Sequence, residues 1–165
     1  MTDTNDFEAW ATARYSGLIH AALLITGDRQ AAQDLVQTSL AKTQVAWRRV
    51  RDNPDAYVRR VMVTTNTDVW RRQTWRERST ATVGERAFDA QGYEVVDDRD
   101  LLLRALQELT SRQRTIVVLR YYVQLSEDET AALVGCSVGT VKSTASRALA
   151  QLRTELASTT AKEHC

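Results

Sequence analysis

The sequence predicts an all-α protein built from two small helical domains that an acidic, flexible linker joins. Its 165 residues include one proline and six glycines, too few for a β-sandwich with many turns. Apolar residues recur at three- and four-residue spacing along most of the chain, which is the period of a helix with one buried face. Acidic and basic residues fall into blocks, and the acidic block at residues 79–100 lies where the helical pattern stops.

The composition excludes several classes of protein. Hydrophobic residues make up 43% of the chain and charged residues 26%, as in soluble globular domains. The longest apolar run, Ala21–Ile25, is far shorter than the ~20 residues of a membrane-spanning helix. The acidic start of the chain is unlike a secretory signal. Two cysteines and two histidines make neither a disulfide framework nor a zinc site. We therefore expect a cytoplasmic protein with no membrane insertion, metal, cofactor or small-molecule substrate.

The first domain, residues 1–78, is predicted to contain three helices. The first spans 6–26 and ends at a glycine, and the second spans 28–48. The third spans 54–77 and has a proline at its first position, where the missing N–H would be unpaired in any case. Ten basic and four acidic residues lie between 42 and 78, so the end of this domain carries a strong positive charge.

A linker and a second domain are predicted to follow. Residues 79–97 lose the helical period and are rich in serine, threonine, glycine and aspartate, which predicts a linker. The second domain is predicted over residues 98–158, and a disordered tail over 159–165. A capping box at Thr110 and Gln113 opens one helix of this domain, because each side chain can bond the backbone N–H of the other residue.

The end of the second domain carries the strongest local pattern, a helix-turn-helix. A helix over 127–134, the turn Gly135–Ser137 and a last helix over 138–156 make this joint, in which Cys136 is expected to be a small buried residue. Short hydroxyls and cations are predicted on the outward side of the last helix near its start, at Thr140, Lys142, Ser143, Thr144, Ser146 and Arg147. A helix that enters the major groove of DNA needs such groups for base edges and phosphates.

These strings resemble region 4 of bacterial sigma factors, and more narrowly the extracytoplasmic-function group. The matching strings are Leu125–Ala131 and Gly135–Ser143, with Leu109–Arg114 and Val118–Tyr122 upstream of them. The first domain independently resembles region 2, through Asp34–Gln37 and the chain up to Trp47 for region 2.2, and through Tyr57–Val63 and Trp70–Arg72 for regions 2.3 and 2.4. The Arg-Arg-Val-Met-Val and Trp-Arg-Arg strings are similar to those of the sigma-E-like actinobacterial subfamily. The resemblance covers about residues 6–157.

The resemblance implies a specificity subunit of RNA polymerase, with no catalysis of its own. Such a subunit binds core polymerase at the β′ clamp helices and the β flap, recognises the −35 promoter duplex through region 4, and melts and captures the −10 element through region 2. Family members are commonly held by an anti-sigma factor that packs against both domains, so we expect such a partner besides core polymerase and promoter DNA. The expected location is the cytoplasm, in association with the nucleoid.

The resemblance also assigns roles to particular residues. Contacts with core polymerase are expected at Asp34, Leu35 and Gln37, although this chain has Thr38 where relatives often have an acid. The −35 contacts are expected at Arg120, Thr140, Lys142, Ser143, Ser146 and Arg147. The −10 contacts are expected at Arg51, Asn53, Tyr57, Arg60, Thr64, Trp70, Arg71 and Arg72. In the family the loop before the third helix, here about residues 51–55, captures a flipped base; many relatives have asparagine at the position of Thr64. Trp47 is expected in the core.

Other functions stay open at this point. A stand-alone helix-turn-helix regulator shares the C-terminal pattern, but it usually carries a receiver or ligand-sensing domain in place of a basic, aromatic one. A protein-interaction module such as a sigma decoy would not need the arginine-rich third helix. An enzyme is disfavoured, because the sequence has no glycine-rich phosphate loop, metal-ligand cluster or nucleophile–base pair. The acidic linker either threads toward the active-centre cleft of polymerase or is a generic spacer.

Overall fold

The computed structural model describes residues 2–79 and 98–163, and the chain divides into two compact units, Met1–Glu85 and Arg86–Cys165. The described residues form helices and turns with no strand, which confirms the all-α prediction. The linker prediction falls on residues that lie outside this part, apart from Ser79 at the end of a helix. No helix within the described ranges has the length and apolar character needed to cross a membrane.

Three long helices form the N-terminal unit: α1 (Thr2–Thr26), α2 (Arg29–Val50) and α3 (Pro54–Ser79). α1 begins four residues before its predicted start, and the other boundaries lie within about two residues of prediction, which is the usual uncertainty of helix ends. α1 ends at Gly27, whose φ of 72° an L side chain rarely adopts. Asp28 then caps α2 by accepting a hydrogen bond from Ala31 N at 2.7 Å.

An apolar core and an aromatic cluster hold these three helices together. The core residues come from all three helices and include Ala22, Ile25, Val36, Ala46, Val58 and Val63. Phe7, Trp10 and Trp47 pack in tilted and edge-to-face arrangements with ring centroids 5.3–5.9 Å apart, and Trp47 is only 7% exposed, which confirms the core prediction for that residue. The buried hydroxyls of Ser39 and Thr43 donate to helix carbonyls one turn earlier, so their burial leaves no polar group unpaired.

The C-terminal unit contains α4 (Asp98–Gln107), α5 (Ser111–Val117), a π-helical turn (Val118–Tyr122), α6 (Glu127–Val134) and α7 (Val138–Glu163). Two capping boxes form: Thr110 with Gln113 before α5, as predicted, and Ser126 with Glu129 before α6, whose Ser-x-x-Glu spacing is the same sequence signal. Gly135 ends α6 with a φ of 76° and turns the chain into α7. The helix-turn-helix therefore has the predicted elements, and the π-helical turn is an addition that sequence periodicity does not signal.

The predictions for the chain end and for Cys136 need correction in this unit. α7 continues to Glu163, so the prediction of a disordered tail is wrong for residues 159–163. The physical reason is that no glycine or proline follows residue 156, and Thr159 Oγ1 donates to the Glu155 carbonyl at 2.9 Å within the same helix. Cys136 is half-buried rather than fully buried, and it packs against a cluster that contains Ile116 and Val141.

Candidate nucleic-acid and polymerase interfaces

The exposed face of α7 presents most of the residues predicted to read duplex DNA. Lys142, Ser143, Ser146 and Arg147 are exposed, and Arg147 Nε donates to the Ser143 carbonyl at 3.4 Å. Thr140 is half-buried, and its Oγ1 lies 2.9 Å from Ser137 Oγ. α7 contains no acidic residue before Glu155 in the sequence, so this face is positive along its first four turns.

Thr144 does not belong to this face, contrary to the sequence analysis. Its side chain is 7% exposed, beside Val141, Ala145 and Ala148 on the buried side of α7. These positions are three and four residues apart, which places them along one helix stripe. Thr144 was predicted to be exposed because it carries a hydroxyl. Its position in the helical period instead places it on the buried side of α7.

Two of the predicted −35 residues are held by one carboxylate. Glu127, the first residue of α6, lies 3.5 Å from Lys142 Nζ and 3.9 Å from Arg120 Nη2. Arg120 also donates through Nη1 to the Leu125 carbonyl, and its side chain is only 23% exposed. In this structure Arg120 therefore joins the π-helical turn to the segment before α6, and a contact with the DNA backbone would require it to leave these partners.

A second arginine of this unit is structural. Arg114 Nη1 donates to the Leu106 carbonyl at 3.3 Å and to Gln107 Oε1 at 3.2 Å. Burial lowers the pKa of its guanidinium, because removal from water disfavours the charged form. Arg114 thus ties α5 to the end of α4. Across residues 2–79 and 98–163, no three His, Cys, Asp or Glu side chains are grouped so that they could hold a metal ion.

The predicted polymerase-binding residues of α2 separate into two kinds. Asp34 and Gln37 are exposed, and Asp34 Oδ1 accepts a hydrogen bond from Gln30 at 3.0 Å. Leu35 is 6% exposed and belongs to the core, so its side chain packs inside this unit and does not share the exposed face of Asp34 and Gln37. Val45, which the sequence analysis missed, is 91% exposed at helical spacing from Asp34. An apolar residue off the buried stripe of α2 was the signal that could have identified it.

The predicted −10 residues lie at the end of α2, in the following loop and along α3. Arg51, Asn53, Arg60, Thr64 and Arg72 are exposed, and Tyr57 is half-buried. Asn53 Oδ1 caps α3 by accepting from Ala56 N at 3.3 Å, and Thr64 Oγ1 donates to the Arg60 carbonyl at 2.9 Å. Trp70 and Arg71 lie in α3, but their side chains are outside the described part.

Carboxylates on either side of the loop that precedes α3 form contacts between helices. Asp3, in the first turn of α1, lies 3.1 Å from Arg48 Nε and 3.6 Å from Arg51 Nη1. Asp55 accepts a hydrogen bond from Trp10 Nε1 at 3.0 Å and pairs with Arg14 at 3.0 Å. The sequence analysis missed these contacts because their partners stand about 45 residues apart in the chain.

Comparison with known proteins identifies the family. A family model described as "Sigma-70, region 4" matches residues 99–152. The chain is 43% identical to an RNA polymerase sigma-E factor of Streptomyces coelicolor over 158 residues, 94% of this chain and 89% of that protein. It is 33% identical to the RNA polymerase sigma factor SigV of Bacillus subtilis over 129 residues, 76% of this chain and 75% of that protein.

Solved structures agree in fold. The sigma factor RpoE of Bartonella quintana, in complex with the anti-sigma factor NepR, aligns with a TM-score of 0.71 at 24% identity, covering 92% of this chain and 96% of that one. CnrH, in complex with the cytosolic domain of CnrY, aligns with a TM-score of 0.60 at 21% identity, covering 92% of this chain and 88% of that one. Since the sequence relatives match both units, a stand-alone regulator is not favoured. The chain belongs to the extracytoplasmic-function group of RNA polymerase sigma factors, in its sigma-E-like actinobacterial subfamily, and its function is to direct transcription initiation.

Proposed function

We propose that the C-terminal unit reads the −35 duplex with the exposed face of α7. The single observation that carries this proposal is a face with Lys142, Ser143, Ser146 and Arg147 exposed and no acidic residue in its first four turns. The two cations of this face can bind DNA phosphates, and its hydroxyl side chains are short enough to let base edges approach the helix. When α7 enters the groove, Lys142 leaves its ion pair with Glu127 and binds a DNA phosphate.

The N-terminal unit captures the −10 element with the α2–α3 loop and the exposed side of α3. Arg51, Arg60 and Arg72 supply charge for the phosphates of a single strand, and Tyr57 supplies a ring for stacking. Thr64 lies one turn after Arg60 on the same side of α3. Trp70 and Arg71 extend this set by sequence position only.

Core RNA polymerase binds the exposed side of α2. Asp34 and Gln37 are three residues apart and share a helix face, and Val45 adds an apolar contact further along it. The promoter DNA is the second partner. An anti-sigma factor is the third partner. This assignment is by analogy with the two structural relatives, of which one was solved with the anti-sigma factor NepR and the other with the cytosolic domain of CnrY. The chain acts in the cytoplasm at the nucleoid and has no catalytic activity of its own.

In vitro transcription with core polymerase, the full chain and a genomic promoter library tests this assignment. We expect specific start sites that disappear with Arg147→Ala, because a cation of the −35 face is lost, and with Asp34→Ala, because core binding fails. Arg153→Ala, an exposed arginine further along α7, and Asp6→Ala, an exposed acid of α1, are the matched controls and should retain the start sites.

Other outcomes point to other assignments. Core binding without any start site would indicate a decoy, or a requirement for a further factor. Duplex binding without core binding would contradict the polymerase assignment and favour a stand-alone regulator. Loss of start sites in the control variants as well would show that surface charge in general, and not these faces, supports activity.

A further inference from the structure

Backbone hydrogen bonds attach the loop between α2 and α3 to the end of α2. Arg51 N donates to the Trp47 carbonyl at 2.9 Å, and Asn53 N donates to the Val50 carbonyl at 2.9 Å. Asn53 also caps α3 through its side chain. These bonds join the loop to the end of α2 and the start of α3, and they lower the entropy that a ligand must still remove without fixing the loop's side chains.

Side chains of α1 contact both sides of this loop. Asp3 pairs with Arg51 directly after α2, and Trp10 and Arg14 bind the carboxylate of Asp55 in the first turn of α3. Trp10 is itself fixed, because its ring packs in the cluster with Phe7 and Trp47. The first half of α1 therefore contributes hydrogen bonds and ion pairs on both sides of the loop, in addition to the bonds that the loop forms with α2 and α3.

We propose that Trp10, Arg14 and Asp3 are positioning residues for capture of the −10 base, with Asp55 as the acceptor through which α1 orients the loop. The inference rests on the proposed function of the loop. Extruding a base from the stack costs a few kcal/mol, which a shaped site must recover. A loop that had to order itself at the same time would recover less, and it would discriminate less between bases.

The test measures base discrimination by the holoenzyme, formed from core polymerase and the full chain. The probe is a fork-junction DNA with a single-stranded −10 segment, taken from the strongest promoter found in the transcription assay, with each base substituted in turn. The quantity compared is the ratio of the Kd values for the worst and the best base. Trp10→Phe removes the N–H donor but keeps an aromatic ring, and Asp55→Ala removes the acceptor.

We expect both variants to reduce this ratio by about three- to tenfold, because each removes a charge-assisted hydrogen bond that holds the loop. Asp55→Asn keeps an acceptor for Trp10 and should restore part of the discrimination. Asp6→Asn, an exposed acid of α1 with the same change of charge, should match the wild type. The affinity for the −35 duplex and the thermal unfolding midpoint of the free chain should stay close to their wild-type values, in contrast to the ratio of Kd values.

Three results would overturn the inference. Discrimination by Trp10→Phe and Asp55→Ala equal to that of Asp6→Asn would show that the loop does not need α1. An equal loss of −35 binding would show that these contacts only hold the fold. Identical behaviour of Asp55→Asn and Asp55→Ala would exclude the acceptor role. A wild-type holoenzyme with no base preference would instead contradict the proposed −10 function itself, whereas discrimination that the variants leave unchanged contradicts the inference alone.

Discussion

The two candidate DNA-binding surfaces are built in different ways. The α7 surface is local: its exposed residues, its turn at Gly135 and its capping boxes all lie within a short stretch of chain. The α2–α3 surface is assembled by tertiary contacts, since Asp3, Trp10 and Arg14 reach it from another helix. A local surface can be predicted from a short sequence motif. An assembled surface depends on contacts with residues far away in the sequence, which a short motif does not contain.

The buried side of α7 gives the strongest test of the local surface. Thr144→Lys places a charge where the wild-type side chain is 7% exposed, so we expect a loss of about 2–4 kcal/mol in the free energy of unfolding. Ser143→Lys, one residue earlier and exposed, should change that free energy by less than about 0.5 kcal/mol. Urea unfolding of the full chain, followed by circular dichroism, compares the two. Equal stability of both variants would contradict the assignment of Thr144 to the core.

The turn before α7 provides a second test, because it depends on backbone conformation rather than on side-chain contacts. Gly135 has a φ of 76°, and a Cβ added there would meet no atom within 4 Å. No clash at Cβ opposes a side chain here, so we expect Gly135→Val to reduce the unfolding free energy by about 1–3 kcal/mol chiefly through backbone strain at the positive φ. Gly135→Asn should cost less, because asparagine adopts the left-handed region more readily. A valine variant as stable as the asparagine variant would argue against this account of the turn.

The loop of the N-terminal unit shows the contrast with that turn. Residues 51–53 have no positive φ, so ordinary side chains can occupy the loop and its geometry is set by hydrogen bonds and ion pairs. Substitutions in this loop should therefore alter DNA binding more than stability. The opposite balance is expected at Gly135.

The same contrast explains how far the sequence could predict this molecule. Helical periodicity, Gly27, Gly135 and both capping boxes predict nearly every helix, because each signal acts within a few residues. The resemblance to region 4 identifies the exposed face of α7 for the same reason. Thr144 was misplaced because its hydroxyl is typical of a helix surface, although its position in the helical period is buried. The family motif names Leu35 without stating that its side of α2 is buried.

Long-range contacts are the part that the sequence could not supply. The pairing of Asp3 with Arg48 and Arg51 requires α1 and α2 to pack antiparallel, so that the start of one lies beside the end of the other. The net positive charge of residues 42–78 does not show which of its arginines pair with acids elsewhere in the unit. The continuation of α7 to Glu163 was missed for a different reason, since polar residues near a chain end read equally well as a tail.

The smallest expected effect concerns the ion pairs that Glu127 makes beside the α7 surface. Glu127 pairs with Lys142 and Arg120, so Glu127→Gln should free Lys142 for phosphate. Exposed ion pairs are worth up to ~1 kcal/mol, so binding to non-promoter duplex DNA should tighten by about three- to fivefold. The slope of log affinity against log salt should become steeper by about one, since one more phosphate contact releases its counterion.

The control for this variant is Asp128→Asn, which makes the same change of charge at the exposed neighbouring residue. It should tighten binding less, because no cation is released from a pair. Adding Lys142→Met to Glu127→Gln should remove the gain, since the freed ammonium is then absent. If Asp128→Asn gave the same shift as Glu127→Gln, overall charge and not the release of Lys142 would account for it. The α7 surface would then be as independent of neighbouring elements as its sequence string suggests.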